Sequence, residues 1–301
     1  MDWQKIHRLK IRTLRDIKNL LLGTYRSSFK GKGLEFEEVR EYVAGDDVRE
    51  IDWNVTAKTG TPYVKLFREE RELTLFLVVD VSLSNQFAHT DQSKQQLLAE
   101  IGALLAFSAN QNQDRVGLLL FSDRVELFLR PKKSLKHVLR IVRELLFFSP
   151  QGRGTDLGGA LEFLGKVARK PTICFLLSDF CVPIPQKELG VLAKKHELMA
   201  FQVTDSYERR LPPLDTFLVF RELESEVISF ADTHSFNLVK RDEEQAQERQ
   251  KALVASLHKQ GVAHVEFMTG YPCLPKLVRF FQTRTGHFAS NPRNDNRGHR
   301  R

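Results

Sequence analysis

Long apolar runs are missing from this chain: nothing approaches the roughly 20 consecutive apolar residues that cross a bilayer. The most apolar stretches, residues 73–81 and 172–178, are of strand length and close on Asp or Ser-Asp. Residues 1–18 alternate bases with apolar side chains and contain no secretory hydrophobic core, so a cytoplasmic protein is expected. Cysteine is scarce. Cys174, Cys181 and Cys273 are odd in number and show no Cys-x-x-Cys spacing, which argues against a disulfide framework or a zinc site and for reduced thiols.

Several catalytic signatures are also absent. Neither Gly31-Lys32-Gly33 nor Gly152-Arg153-Gly154 completes a phosphate-binding Gly-x-x-x-x-Gly-Lys-Ser/Thr loop, so ATP hydrolysis is not expected. No Gly-x-Ser-x-Gly nucleophile elbow is present. Haloacid-dehalogenase-like phosphatases need a second carboxylate two residues after the first-strand Asp, and Ser82 stands there after Asp80. A divalent-metal-dependent hydrolase is therefore kept only as an alternative.

What the chain does have is an ordinary globular composition, 42% hydrophobic and 28% charged over 301 residues, and an uneven positive charge. Of the net +8, residues 1–34 carry a balance of +7 and residues 291–301 a balance of +3, leaving the body near −2. Basic termini can grip nucleic acid or an anionic membrane surface, a second alternative, although no aromatic-interleaved basic groove accompanies them. Trp3, Ile6, Leu9, Leu14, Ile17, Leu20 and Leu21 share one side of a helix wheel, predicting a basic amphipathic helix within residues 1–26. Residues 291–301 read as a disordered basic tail.

Residues 27–72 are turn-rich and, with residues 206–235, predict a small β subdomain in which the two segments pair. Residues 73–205 alternate solid apolar runs with segments of helical period, the pattern of an α/β, doubly wound, mostly parallel sheet. Strands 115–121 and 125–129, around Ser122-Asp123-Arg124, predict an antiparallel hairpin at its edge. Residues 236–290 predict a helix–strand–helix unit packing on that core.

In such sheets, sites form outside the carboxyl ends of the strands. Three of these ends carry Asp80-Val81-Ser82-Leu83-Ser84, Gly152-Arg153-Gly154-Thr155-Asp156 and Ser178-Asp179. Alternate residues of an extended turn point the same way, so Ser82 and Ser84 can offer hydroxyls to one ion, and Thr155 can bring a third. Asp156 reads as a helix N-cap. This Asp-x-Ser-x-Ser, Thr, Asp order resembles the metal-ion-dependent adhesion site of von Willebrand A domains. The resemblance implies Mg²⁺ (or Mn²⁺) held by Asp80, Ser82, Ser84, Thr155 and Asp179, with both aspartates acting mainly through water. An ion with so few direct carboxylates is electron-poor and seeks an acidic side chain from a partner.

A second block, Gly33-x-Glu35-Phe36-x-x-x-Arg40-x-Tyr42-x-x-Gly45-Asp46-Asp47-x-Arg49-x-Ile51-Asp52-Trp53, resembles domain-of-unknown-function family fifty-eight, whose members are von Willebrand A-like and are associated with MoxR-type AAA+ ATPases. The similarity spans roughly residues 25–285. It implies a non-catalytic protein–protein interaction adaptor for chaperone-like assembly or maturation, whose partner is a MoxR-type ATPase or an acidic client. Within the block, Arg40, Gly45, Asp46, Asp47, Arg49, Asp52 and Trp53 read as structural, through ion pairs and Asx turns, with Trp53 plugging the β subdomain's interior. Two departures stand out. Many relatives carry membrane helices ahead of the block, and von Willebrand A domains often have Asp-Gly where this chain has Asp179-Phe180.

Overall fold

The computed structural model describes residues 35–43, 45–68, 73–86, 88–209, 217–221, 228–232 and 236–288. The expected N-terminal amphipathic helix and the C-terminal tail lie outside these residues. In chain order the elements are β1 (Glu35–Glu41), α1 (Trp53–Thr59), β2 (Tyr63–Arg68), β3 (Thr74–Asp80), α2 (Lys94–Gln111), β4 (Arg115–Phe121), β5 (Val125–Lys132), α3 (Leu135–Phe147), α4 (Leu157–Val167), β6 (Ile173–Ser178), α5 (Gln186–Lys195), β7 (Glu197–Thr204), α6 (Ser206–Arg209), β8 (Phe217–Arg221), β9 (Ile228–Asp232), α7 (Phe236–Lys259), β10 (Ala263–Met268) and α8 (Leu274–Phe288).

Six strands form one sheet in the order β10-β7-β6-β3-β4-β5, parallel throughout except for the β4–β5 hairpin at one edge. Their apolar side chains divide by parity. Leu75, Leu77 and Val79 of β3 join one core with α2, α3 and α8, whereas Phe76 and Val78 join a second core with α4, α5 and α7. Both faces are thus covered, which is why the central strands read as unbroken apolar runs rather than as alternation. This is the doubly wound, mostly parallel arrangement that the strand–helix alternation predicts.

Local chemistry sets the helix starts. Ser93 and Gln96 form a reciprocal capping box on α2, Ser134 caps α3 through the His137 amide, and Asp156 caps α4 through the Gly159 amide. Each cap sits where the chain leaves a strand-end loop, so the helices are aimed back across the sheet.

The segments outside the main sheet differ in part from expectation. β1 pairs with β2, and β8 with β9, as two separate antiparallel pairs; among the described residues no ladder joins them. Trp53 does not plug an interior. It is 69% exposed, as Val43 and Val48 are to a similar degree. The physical reason is size: a seven-residue helix with no buried residue, set against a two-stranded sheet, leaves little inside to fill, and Val64 fills it. The block's acids are local structure. Asp46 pairs with Arg40 at 2.7 Å and accepts from the Val43 amide, Asp47 accepts from the Arg49 amide, and Asp52 caps α1. Gly45 adopts a φ of +115°, where a side chain would be strained.

Candidate metal centre

β3 is flanked by β4 and β6, so its carboxyl end opens near the middle of the sheet's edge. Asp80, its last residue, and Ser82 are both fully buried there. One Asp80 oxygen accepts from the Ser82 amide at 2.9 Å and the other from the Ser178 hydroxyl at 2.7 Å. The first bond folds the chain into a tight turn, and the hydroxyls of Ser82 and Ser84 then stand 3.0 Å apart.

The loop bearing Thr155 is brought against this turn by backbone bonds. Leu83 N donates to Arg153 O at 3.2 Å, and Asp156 N donates to Ser122 O at 2.7 Å. A carboxylate pins the loop's other end: Glu126 Oε1 accepts from the Gln151 and Gly152 amides and from the Ser122 hydroxyl. Gly152 is buried in this seat, and a Cβ there would overlap Asp123 Oδ1 and Ser122 Oγ. Gly152→Ala is therefore expected to lift the loop and lower stability by about 1–3 kcal/mol, as overpacking does. Thermal unfolding checks this, and an unchanged midpoint would mean that the loop is not seated as described.

Asp179 follows β6. Its Oδ1 accepts from the Cys181 amide at 3.2 Å, and its Oδ2 accepts from Lys94 Nζ at 2.8 Å. Lys94 is completely buried at the first position of α2, and its ammonium also donates to Glu208 Oε1 at 2.5 Å. Burial works against that charge, but Asp179 and then Glu208 outweigh it and hold the ammonium's pKa above the ordinary lysine value. Glu208 in turn accepts from the Asp205 amide, and buried Asp205 pairs with His89 and accepts from Thr269. Phe180, next to Asp179, adopts a φ of +54° with its ring buried in the second core.

The sequence reading names Asp80, Ser82, Ser84, Thr155 and Asp179, and the structure sets their three segments side by side at one sheet end. Lys94, Glu208 and Glu126 are not among the residues that reading names, and Ser178 enters it only as the neighbour of Asp179. One signal for Lys94 is available in the sequence: a base directly after the N-cap serine, where the helix dipole disfavours positive charge.

Two geometric facts bear on whether a cation fits. Neighbouring ligands of an octahedral Mg²⁺, each at 2.0–2.1 Å, lie about 3 Å apart, and the Ser82–Ser84 hydroxyl pair has that spacing. All four oxygens of Asp80 and Asp179 already accept hydrogen bonds, which suits carboxylates that hold an ion's waters rather than the ion itself. Charge agrees with this. Burial, and then the nearby Asp179 carboxylate, push Asp80 up to about 6, an excess of negative charge that a cation would relieve. Among the described residues no trio of His, Cys, Asp or Glu converges as a metal cage. The donor set is hydroxyl and carboxylate oxygen, which favours a hard cation.

The sequence matches the family described as "Protein of unknown function DUF58" over residues 38–252. It is 30% identical over 223 residues to the uncharacterized protein Rv1480 of Mycobacterium tuberculosis, covering 73% of this chain and 70% of that one. Among solved structures, BatB from Bacteroides thetaiotaomicron is 11% identical with a TM-score of 0.47, covering 73% of this chain and all of BatB. The SpRpn10 VWA domain is 8% identical with a TM-score of 0.41, covering 70% of this chain and 95% of that domain. No described helix is long and apolar enough to cross a membrane.

Proposed function

The chain belongs to the DUF58 family, and on that premise we propose that it is a non-catalytic, cytoplasmic adaptor that binds a protein partner through Mg²⁺ or Mn²⁺. The observation that carries this reading is the Ser82–Ser84 hydroxyl pair, 3.0 Å apart, above two carboxylates whose oxygens are already engaged. Ser82, Ser84 and Thr155 would hold the cation directly, and Asp80 and Asp179 would hold its waters. The bound ion supplies an electron-poor position that an acidic side chain of a partner can complete. Asp80's two hydrogen bonds orient the turn, Glu126 fixes the loop that carries Thr155, and Ser178 ties the ends of β3 and β6 together. By family resemblance the partner is a MoxR-type AAA+ ATPase, or a client that such an ATPase assembles or matures.

Asp80 gives a pH signature. Its pKa in the folded chain is about 6, above its ordinary value of 3.8. Between those values the folded state binds the proton more tightly than the unfolded chain does. The cation-free protein is therefore expected to lose stability as pH rises from about 4 through about 6, and to level off above. Binding a cation must displace that proton, so Mn²⁺ affinity should fall by about tenfold per pH unit below about 6. Calorimetric titration at several pH values reads this directly, and a flat affinity from pH 5 to 7 would contradict it.

The function is tested by capture from native lysate with wild type and Ser82→Ala, each in Mg²⁺ and in EDTA. An AAA+ ATPase or a defined client retained only by wild type in Mg²⁺ is the expected result. Equal retention in all four conditions would overturn the reading and point to a partner surface elsewhere.

A further inference from the structure

Lys94 is the one fully buried lysine or arginine among the described residues. Three circumstances oppose its charge. It is out of water, it sits at the positive end of the α2 dipole, and a buried ion pair returns little net stability. An aliphatic side chain would fill the same volume without those costs. What the ammonium does uniquely is take Oδ2 of Asp179 at 2.8 Å, while reaching across to Glu208 on α6 at 2.5 Å.

We propose that Lys94 is the resident positive charge of the cation site, a positioning residue that sets how tightly the cation is held, with Glu208 as the counterweight that sets how much of that charge falls on Asp179. The proposal rests on the cation reading above and deepens it. A cation at the Ser82–Ser84 turn draws on the charge of Asp80 and on whatever Lys94 leaves of Asp179. Because the ammonium has already neutralised part of Asp179, the negative charge facing an entering cation is reduced but not cancelled. A cation that enters is then held loosely and stays electron-poor, so a partner's carboxylate tightens its hold.

Glu208 acts in the opposite sense. Its side chain is 32% exposed, and its other oxygen accepts from the Asp205 amide at 3.1 Å, which holds it facing Lys94. Removing its charge leaves the ammonium to Asp179 alone and should weaken the cation's hold. Removing the ammonium should strengthen it.

The experiment is a Mn²⁺ titration of the full chain at pH 7.5 by calorimetry, with no partner present, on wild type, Lys94→Met and Glu208→Gln. Methionine keeps the length and fills the buried slot. Lys94→Met is expected to bind Mn²⁺ about tenfold more tightly and Glu208→Gln about threefold more weakly, the repulsion and its release acting in a partly buried, low-dielectric setting. The opposed signs are the diagnostic feature, since lost packing would weaken both variants. If wild type binds and Lys94→Met binds equally or more weakly, this proposal falls and the cation reading survives. If wild type binds no Mn²⁺, both fall together. Should Lys94→Met fail to fold, Glu208→Gln decides together with its melting temperature: weaker binding at an unchanged melting temperature supports the proposal, and unchanged binding, or weaker binding with a lowered melting temperature, overturns it.

Discussion

Asp80→Asn is expected to make the cation-free protein more stable while abolishing its response to Mg²⁺ or Mn²⁺. At pH 7.5 the buried Asp80 carboxylate is ionised against its burial and against Asp179, with its pKa pushed up to about 6. A rise of about two pH units corresponds to at most about 3 kcal/mol, and relaxation of the surroundings reduces the recoverable part to about 1–2 kcal/mol. Asparagine keeps an oxygen for the Ser82 amide, so the turn survives. Its amide nitrogen meets the Ser178 hydroxyl, which can turn its hydrogen away and accept. The melting temperature without cation should rise by about 3–5 °C. Without the carboxylate that holds an ion's waters, Mn²⁺ affinity should drop on the order of a hundredfold. Thermal scans with and without Mn²⁺ read both effects at once. A variant less stable than wild type at pH 7.5 would mean that the carboxylate's hydrogen bonds outweigh its repulsion.

Phe201→Ala should give the largest loss of stability. The ring is fully buried on β7 and stands at the centre of an aromatic cluster, with Phe175 at 5.1 Å, Phe267 at 5.4 Å and Phe280 at 5.3 Å between centroids. These partners come from β6, β10 and α8, so the cavity would open where the C-terminal strand and helix dock on the sheet. A buried Phe→Ala change costs about 3–5 kcal/mol, equivalent to a fall of roughly 10 °C for a chain of this size. Hydrogen exchange should accelerate first in residues 263–288. Uniform acceleration across the sheet would instead show that the chain opens as one cooperative unit.

How much of this was legible in the sequence depended on how far apart the interacting residues lie. The strands of the main sheet announce themselves because they are covered on both faces, and the starts of α2, α3 and α4 because Ser93, Ser134 and Asp156 are caps of known chemistry. Asp80, Ser82 and Ser84 stand out because they occupy a single turn. The strand order does not announce itself: nothing local in residues 263–268 says that they lie beside β7. Lys94 went unread for the same reason. Its partners are 85 and 114 residues away, and in the sequence only its place directly after the N-cap serine sets it apart. Trp53 was misjudged because indole size suggests an interior without establishing that a large enough one exists there.

Phe180 ties the site to the layer beneath it. A bulky side chain at φ +54° is strained, and it persists only where its surroundings hold it. Here the ring is wedged among residues of the second core, and the amide is fastened to the Ser178 hydroxyl at 3.0 Å. The peptide under tension is the one that aims Asp179. Loosening the packing of α4 or α5 would let that peptide unwind and swing the carboxylate, so the site's geometry serves as a readout of whether one whole helical layer is in place.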